Sequence, residues 1–299
     1  MEYIKIKGKI YGYAVNFKDD KKIRTSFNTL TRKTYGFDFE EWYQNGYWKD
    51  RYIPYSILDG ENVISSVSVN IIDFLIMGEK KRYIQIGTVM TDDEYRNQGL
   101  NRFIMERVIE EWRDRCDLIY LFANDKVLNF YPKFGFVPVD EYQHSKDILV
   151  ENTTSKVKKL NMSDKKDRNF LFNTVKKSVP VSKLQMYNNE SLIMFYCTSF
   201  MKENVYYIET LDTIVIAEFD GDILYLNDVF SIRNVLLDDI IEAMGKKELK
   251  KIVFSFTPID KTLYDVSLLR EEDTTLFVMG DKVDFFRDEQ LMFPLLSHA

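Results

Sequence analysis

Residues 83–101 read YIQIGTVMTDDEYRNQGLN, and this stretch decides how the first half of the chain folds. Its first part, 83–91, is rich in β-branched and aromatic side chains and predicts a strand. After Gly99, apolar side chains recur every four residues: Leu100, Ile104, Val108 and Trp112. This spacing predicts a helix over about 99–115. A strand that turns sharply into a helix leaves the first backbone N–H groups of the helix unpaired, so the sequence predicts an anion site at 96–101.

A second motif follows the first at a defined distance. Residues 117–123 are almost all apolar, which predicts a strand covered on both faces. Asn124 ends this run, Tyr131 comes seven residues later, and a short helix is predicted over 126–134. Each feature alone has an ordinary structural explanation, a glycine turn for the loop and a core position for the tyrosine. Their occurrence together favours a functional site.

Together the two motifs resemble the acetyl-CoA-binding core of the Gcn5-related N-acetyltransferases (GNAT). The loop of that family follows the pattern Arg/Gln-x-x-Gly-x-Gly/Ala, and Arg96, Gly99 and Asn101 occupy its three fixed positions. Asn101 departs from the pattern, since the family has glycine or alanine there. Asn124 and Tyr131 match the asparagine and the tyrosine of the family. The resemblance is tight over 83–137 and loose over the whole chain, where it is similar to the enhanced-intracellular-survival type.

That type implies an α/β fold (α+β, with mixed sheets) made of tandem GNAT-like domains, 1–150 and 151–299. A polar connector around 146–155 indicates the boundary near Val150. The second half repeats a similar order, with a helix at 165–178, a hairpin over 213–228, a helix at 235–244 and a strand at 251–256. Its counterpart of the loop, 230–234, contains no glycine. The second domain is therefore predicted to be degenerate, and catalysis is assigned to the first.

An aromatic segment precedes the central strands. A helix is predicted over 22–35, and two strands over 52–58 and 62–77 are joined by hairpin chemistry at 59–62. Between them stand Phe37, Phe39, Trp42, Tyr43, Tyr47 and Trp48. The acceptor side of GNAT enzymes lies in this region, so these rings would either form a substrate wall or cover the sheet.

The resemblance implies direct transfer of an acetyl group from acetyl-CoA to a primary amine of a small molecule or peptide. The residues that it assigns to acetyl-CoA are Val89, Met90, Thr91, Arg96, Asn97, Gln98, Gly99, Leu100, Asn101, Arg102 and Asn124. The N–H of Val89 would meet the thioester carbonyl. Tyr131 would be the general acid that protonates the leaving thiolate. The alternative is an acyl-CoA-binding sensor or scaffold that keeps the cradle without turnover.

The general base is open at this stage, because the chain has only two histidines. One candidate is the acidic run Asp92, Asp93 and Glu94, whose ordinary explanation is a solvated loop. Another is the carboxylate of Ala299, since the terminal carboxylate enters the active site in the type resembled. The tail before it, 291–298, is apolar, which fits entry into the site and docking for stability equally well.

The composition of the chain limits the classes of partner that it is expected to bind. The 299 residues carry a net charge of −6, which argues against nucleic-acid binding and is compatible with cationic amines. Cys116 and Cys197 are isolated, so neither a disulfide nor a metal site is expected. The start lacks a signal-peptide pattern and no apolar run could span a bilayer, which predicts a cytoplasmic protein without a membrane partner. Homo-oligomerisation stays open. The acceptor also stays open, with the resemblance favouring polyamine-like compounds.

Overall fold

The computed structural model describes residues 1–149, 155–246, 248–280 and 283–298. The strands in this part of the chain are β1 (Glu2–Ile6), β2 (Lys9–Val15), β3 (Tyr52–Asp59), β4 (Asn62–Ile76), β5 (Glu79–Thr91), β6 (Leu118–Ala123), β7 (Phe136–Pro138), β8 (Tyr142–Asp147), β9 (Val157–Lys159), β10 (Leu184–Tyr187), β11 (Val205–Ile208), β12 (Thr213–Asp220), β13 (Ile223–Ser231), β14 (Lys251–Phe254), β15 (Asp265–Leu268) and β16 (Thr275–Met279). The α-helices are α1 (Lys21–Tyr35), α2 (Glu40–Gln44), α3 (Leu100–Trp112), α4 (Lys165–Lys177), α5 (Glu190–Thr198), α6 (Leu237–Met244) and α7 (Val283–Asp288).

The first sheet has the order β1-β2-β3-β4-β5-β6-β16-β7, and β10 adds to the far end of β4. Its strands pair antiparallel except β5 and β6, which are parallel. That parallel pairing joins only residues 83–86 to 118–121. Beyond it, β5 stays paired to β4 and β6 stays paired to β16. The sheet therefore opens at its centre while both strands keep their outer partners.

The second sheet has the order β15-β8-β14-β13-β12-β11-β9. The two sheets take strands from both halves of the chain, because β8 lies in the second sheet whereas β10 and β16 lie in the first. The predicted boundary residue, Val150, is outside the described residues. The predicted mixed α/β class with two sheets is confirmed.

The core sits in layers. Helix α3 packs on one face of the first sheet. On the other face, α1, α4, α5 and the C-terminal segment fill the space between the two sheets. Helix α6 covers the far face of the second sheet. No helix in the described ranges combines the length and the apolar character that crossing a membrane requires.

Local sequence explains where the helices of the first half begin and end. Asp20 caps α1 by accepting the N–H groups of Lys22 and Ile23, and Gly36 ends it with φ 81°. The predicted helix over 126–134 is wrong, since this segment forms two short 3₁₀ turns, Asp125–Val127 and Tyr131–Phe134. Pro132 has no N–H for an α-helical bond and disfavours the α conformation of the residue before it.

The segment 291–298 ties the two sheets together. The ring of Phe293 stacks on Tyr120 of β6 at 4.0 Å, and the Tyr120 hydroxyl donates to the Ser297 carbonyl at 3.1 Å. The Leu295 N–H donates to the carbonyl of Ser255, which follows β14, at 2.9 Å. The apolar tail is thus a buried layer of the fold.

Candidate active site

A cavity of about 1380 Å³ opens where β5 and β6 part. Backbone from 86–91 forms its floor, and residues around the start of α3 and the turns after β6 border it on one side. The connection after α1, helix α5 and His298 border it on the other. Because α1 and α3 pack on opposite faces of the sheet, the gap joins the two faces.

A β-bulge shapes the edge of β5 in this gap. Ser68 of β4 opposes Gly87 and Ser66 opposes Met90, so one residue of β4 faces both Thr88 and Val89. Thr88 has φ 48°, an unusual conformation for a β-branched residue, and its hydroxyl lies 2.9 Å from that of Tyr52. A bulge changes the local direction of the backbone and of the side chains. This bulge lies in the wall of the cavity.

The predicted loop takes an unusual backbone conformation immediately before α3. Asn97 has φ 62° and Gly99 has φ 88°, so both residues adopt the left-handed backbone conformation just before α3 begins at Leu100. The first residues of this thirteen-residue helix border the cavity. Lys7 Nζ donates to the Asn97 carbonyl at 3.4 Å and braces the loop from the N-terminal hairpin.

Asn101, which departs from the family pattern, is held by the sheet. Its Oδ1 accepts the hydroxyl of fully buried Ser65 at 2.7 Å, and that hydroxyl also lies 3.0 Å from Thr91 Oγ1. The bond to β4 fixes the amide, so an asparagine is accommodated at this position.

Five cations border the cavity near the loop: Lys7, Arg96, Arg102, Lys126 and Lys133. Arg96 pairs with Asp93 at 2.8 Å and Arg102 with Glu106 at 3.4 Å, both exposed pairs that contribute little to stability. The sequence analysis named the two arginines and missed the three lysines. Lys126 and Lys133 flank the second motif and could have been found there. Lys7 gives no local signal, because it is ninety positions from the carbonyl that it contacts.

Tyr131 is a protonated phenol in the cavity wall. Its ring is 5% exposed and packs against Phe136 and against Phe277 of β16. Burial raises the pKa of Tyr131 to about 12, so the group keeps its proton at neutral pH. No hydrogen bond joins its hydroxyl to a described residue. Asn124, at the end of β6, is exposed and borders the same cavity.

Tyr35 is a second phenol of the wall that the sequence analysis did not single out. It ends α1, and its hydroxyl donates to the Val89 carbonyl at 2.8 Å. The Tyr35 side chain is partly exposed, but desolvation of its hydroxyl, reinforced by the neighbouring Tyr131, raises the pKa of Tyr35 well above its usual value. Tyr35 thus links α1 to the bulge and lies within electrostatic reach of Tyr131.

The other predicted acetyl-CoA residues divide into two groups. Val89, Met90, Thr91 and Leu100 line the cavity. Gln98 points its side chain elsewhere, accepting from the Tyr11 hydroxyl at 3.2 Å and donating to the Glu94 carbonyl at 3.2 Å.

The candidate bases differ in where they lie relative to the cavity. Asp92 binds Lys33 at 2.9 Å, which lowers the pKa of its carboxyl, and the acidic run is not part of the described lining. Ala299 is outside the described residues. Its neighbour His298 stacks on Phe122 at 3.7 Å and borders the cavity. Burial lowers the pKa of His298 to about 3, so this imidazole is neutral.

The aromatic segment divides between the cavity and the core. Phe37, Phe39 and Trp42 line the cavity, whereas Trp48 is 3% exposed and packs in the core. In the second half, 230–234 contains the last two residues of β13 and the start of the connection to α6, and this connection has no glycine. In the part of the chain that the structure describes, no three His, Cys, Asp or Glu side chains are grouped as metal ligands would be.

The sequence model of the Acetyltransferase (GNAT) family matches residues 22–136, which span β5, the glycine loop, α3, Asn124 and Tyr131. The N-terminal part of this chain is a GNAT-family acyltransferase domain. The recognition made from the two motifs is therefore confirmed. The comparison with curated proteins finds no match.

Solved structures extend the likeness in fold over about 90% of the chain. A probable N-acyltransferase from Enterococcus faecalis V583 has TM-score 0.58 and 13% identity, covering 89% of this chain and 72% of that one. A GCN5-related N-acetyltransferase from Kribbella flavida has TM-score 0.55 and 15% identity, covering 90% and 71%. Eis1 from Mycobacterium abscessus has TM-score 0.53 and 11% identity, covering 89% and 73%. At these identities the likeness shows the fold, and it supports the tandem arrangement.

The loop geometry generates a prediction about Gly99. Alanine at φ 88° is strained, and we expect Gly99→Ala to lower the free energy of unfolding by roughly 1 kcal/mol or more. We also expect it to weaken coenzyme A binding, because the first N–H groups of α3 shift. Gly78→Ala is the matched control, since Gly78 has φ 89° in the turn between β4 and β5 and is not part of the described lining. Calorimetric titration with coenzyme A should find weaker binding only for Gly99→Ala; equal affinity in both variants would contradict the assignment.

Proposed function

We propose that this protein transfers the acetyl group of acetyl-CoA directly to the nitrogen of a primary amine. The observation that carries the proposal is that one cavity is bordered by a basic helix start, a bulged strand edge and a protonated phenol. These are the three parts that acetyl transfer from a thioester requires: an anion site, a donor for the carbonyl oxygen and an acid for the leaving sulfur.

The donor set fits the phosphates of coenzyme A. The N–H groups at the start of α3 and the positive end of its dipole favour the diphosphate. Lys7, Arg96, Arg102, Lys126 and Lys133 supply the charge that several phosphate groups need. The likeness to GNAT proteins supports the same ligand.

The reaction balances with groups of this chain. The amine nitrogen forms a bond to the acetyl carbon while the carbon–sulfur bond breaks and its electron pair passes to sulfur. The Tyr131 hydroxyl gives its proton to that sulfur, and the Val89 N–H stabilises the carbonyl oxygen. The incoming ammonium gives one proton to the base beforehand, because only the neutral amine attacks. Once the nitrogen–carbon bond has formed, the nitrogen gives up a second proton, and this proton restores the Tyr131 hydroxyl.

Tyr131→Phe tests the enzyme against the sensor alternative. The change removes one oxygen and keeps the ring packed against Phe136 and Phe277. We expect kcat to fall by about 10²-fold or more, the usual contribution of a general acid, with the acetyl-CoA Kd unchanged. Free-thiol release measures the first and calorimetry the second. Full kcat in the variant would remove Tyr131 from the mechanism, and tight acetyl-CoA binding by the wild type without turnover on any amine would favour the sensor.

For the base we propose the carboxylate of Ala299, supported by the course of the tail, which brings His298 to the cavity wall. A variant ending at Ser297 should lose kcat by about 10²-fold or more at neutral pH. The kcat of this variant should recover as the pH rises, since more of the amine is then neutral without a base to deprotonate it. Acetyl-CoA affinity serves as the control for folding. A kcat equal to that of the full chain at all pH values would contradict this assignment.

A further inference from the structure

The face of the cavity that lies opposite the basic loop is built from aromatic rings. Tyr35 ends α1 and Phe37 follows it, while Phe195, Tyr196 and Phe200 belong to α5 and the turn after it. We refer to these five residues as the aromatic wall. Phe37 meets Phe200 edge-on at 5.3 Å and Phe195 at 6.0 Å, so the two segments interlock.

Hydrogen bonds to neighbouring segments hold the aromatic wall in place. The Trp42 indole N–H donates to the Ser191 carbonyl at 2.8 Å and joins α2 to α5. The hydroxyl of Tyr35 is bonded to the Val89 carbonyl on the bulge. The wall therefore stands beside the point where we place the acetyl group, on the face of the sheet opposite α3.

Charge is distributed unevenly around the cavity. The lining lysines and arginines come from the N-terminal hairpin, the loop and the turns after β6. Asp273 is the one carboxylate of the described lining, and its Oδ1 accepts the Asp125 N–H at 2.7 Å in the turn after β6. The described residues of the wall carry no charge, and neighbouring His298 is neutral.

This distribution discriminates between classes of amine. One ammonium group is tolerated on aromatic faces and gives up its charge before attack. A second or third ammonium group, as in a polyamine or an aminoglycoside, would lose water against apolar rings without a partner carboxylate. An aromatic or aliphatic tail instead gains by covering the rings, among them Phe200 at 58% exposed and Tyr35 at 43%.

We propose that the acceptor is a primary monoamine with an aromatic or otherwise apolar body, of the arylalkylamine class. The inference rests on the proposed function and names the substrate class of that same site. The bond changes are those given above: nitrogen–carbon forms and carbon–sulfur breaks. The thiolate takes the proton of Tyr131, the ammonium proton leaves to the base, and the second proton lost by the nitrogen restores the Tyr131 hydroxyl.

The first test compares acceptors on the wild-type protein. 2-Phenylethylamine, spermidine and kanamycin are each supplied with acetyl-CoA, with thiol release and product mass as readouts. We expect kcat/KM for 2-phenylethylamine to exceed that for the two polycations by about tenfold or more, the range that apolar pocket contacts supply. Faster transfer to spermidine or kanamycin would overturn this inference alone. No transfer to any of the three, together with no acetyl-CoA binding, would overturn the proposed function itself.

The second test puts a carboxylate on the wall. Phe200→Asp changes an exposed position, and Tyr3→Asp is the matched control, since Tyr3 is 72% exposed on β1 and is not part of the described lining. We expect Phe200→Asp to raise KM for 2-phenylethylamine roughly tenfold and to lower it for spermidine, with KM for acetyl-CoA unchanged. Tyr3→Asp should leave all three values as in the wild type. Equal KM for 2-phenylethylamine in the two variants would overturn the assignment of the wall.

Discussion

The end of pairing between β5 and β6 after Ile86 and Leu121 is the constraint on which the rest of the site depends. Both strands keep their outer neighbours, so the sheet can part at its centre without losing its other ladders. The β5 side of the gap carries the bulge at Thr88, and the β6 side leads into Asn124 and Tyr131. A ligand in the gap would therefore contact both motifs at once, although they lie far apart in the sequence.

The second half of the chain supports this opening rather than repeating it. Strand β16 covers the outer edge of β6 and supplies Phe277, which packs on Tyr131. The tail stacks Phe293 on Tyr120 and carries His298 to the cavity. Helix α5 and the turn after it supply three of the five residues of the aromatic wall. The second half of the chain, which has no glycine at 230–234, thus still shapes the cavity.

The sequence predicted the parts of the site that depend on local spacing. Side-chain composition and spacing predict strand β5 and helix α3. The loop between them follows from Gly99, because glycine tolerates φ 88°. What it missed comes from distant contacts. Lys7 reaches the loop from another hairpin, Ser65 holds Asn101 from β4, and the wall joins α1 to α5. The helix predicted over 126–134 was wrong because Pro132 cannot donate an α-helical hydrogen bond, and the segment forms two 3₁₀ turns. The overall negative charge suggested cationic acceptors, whereas the described wall is uncharged.

The central claim is that coenzyme A binds in the gap of the first sheet with its phosphates at the start of α3. A crystal structure of the full chain with coenzyme A tests it most directly. We predict phosphate density within hydrogen-bond distance of the N–H groups of 99–102, and the thiol between Val89 and Tyr131. Coenzyme A bound to the second sheet near 230–237, or on the surface with the gap between β5 and β6 unfilled, would contradict the account.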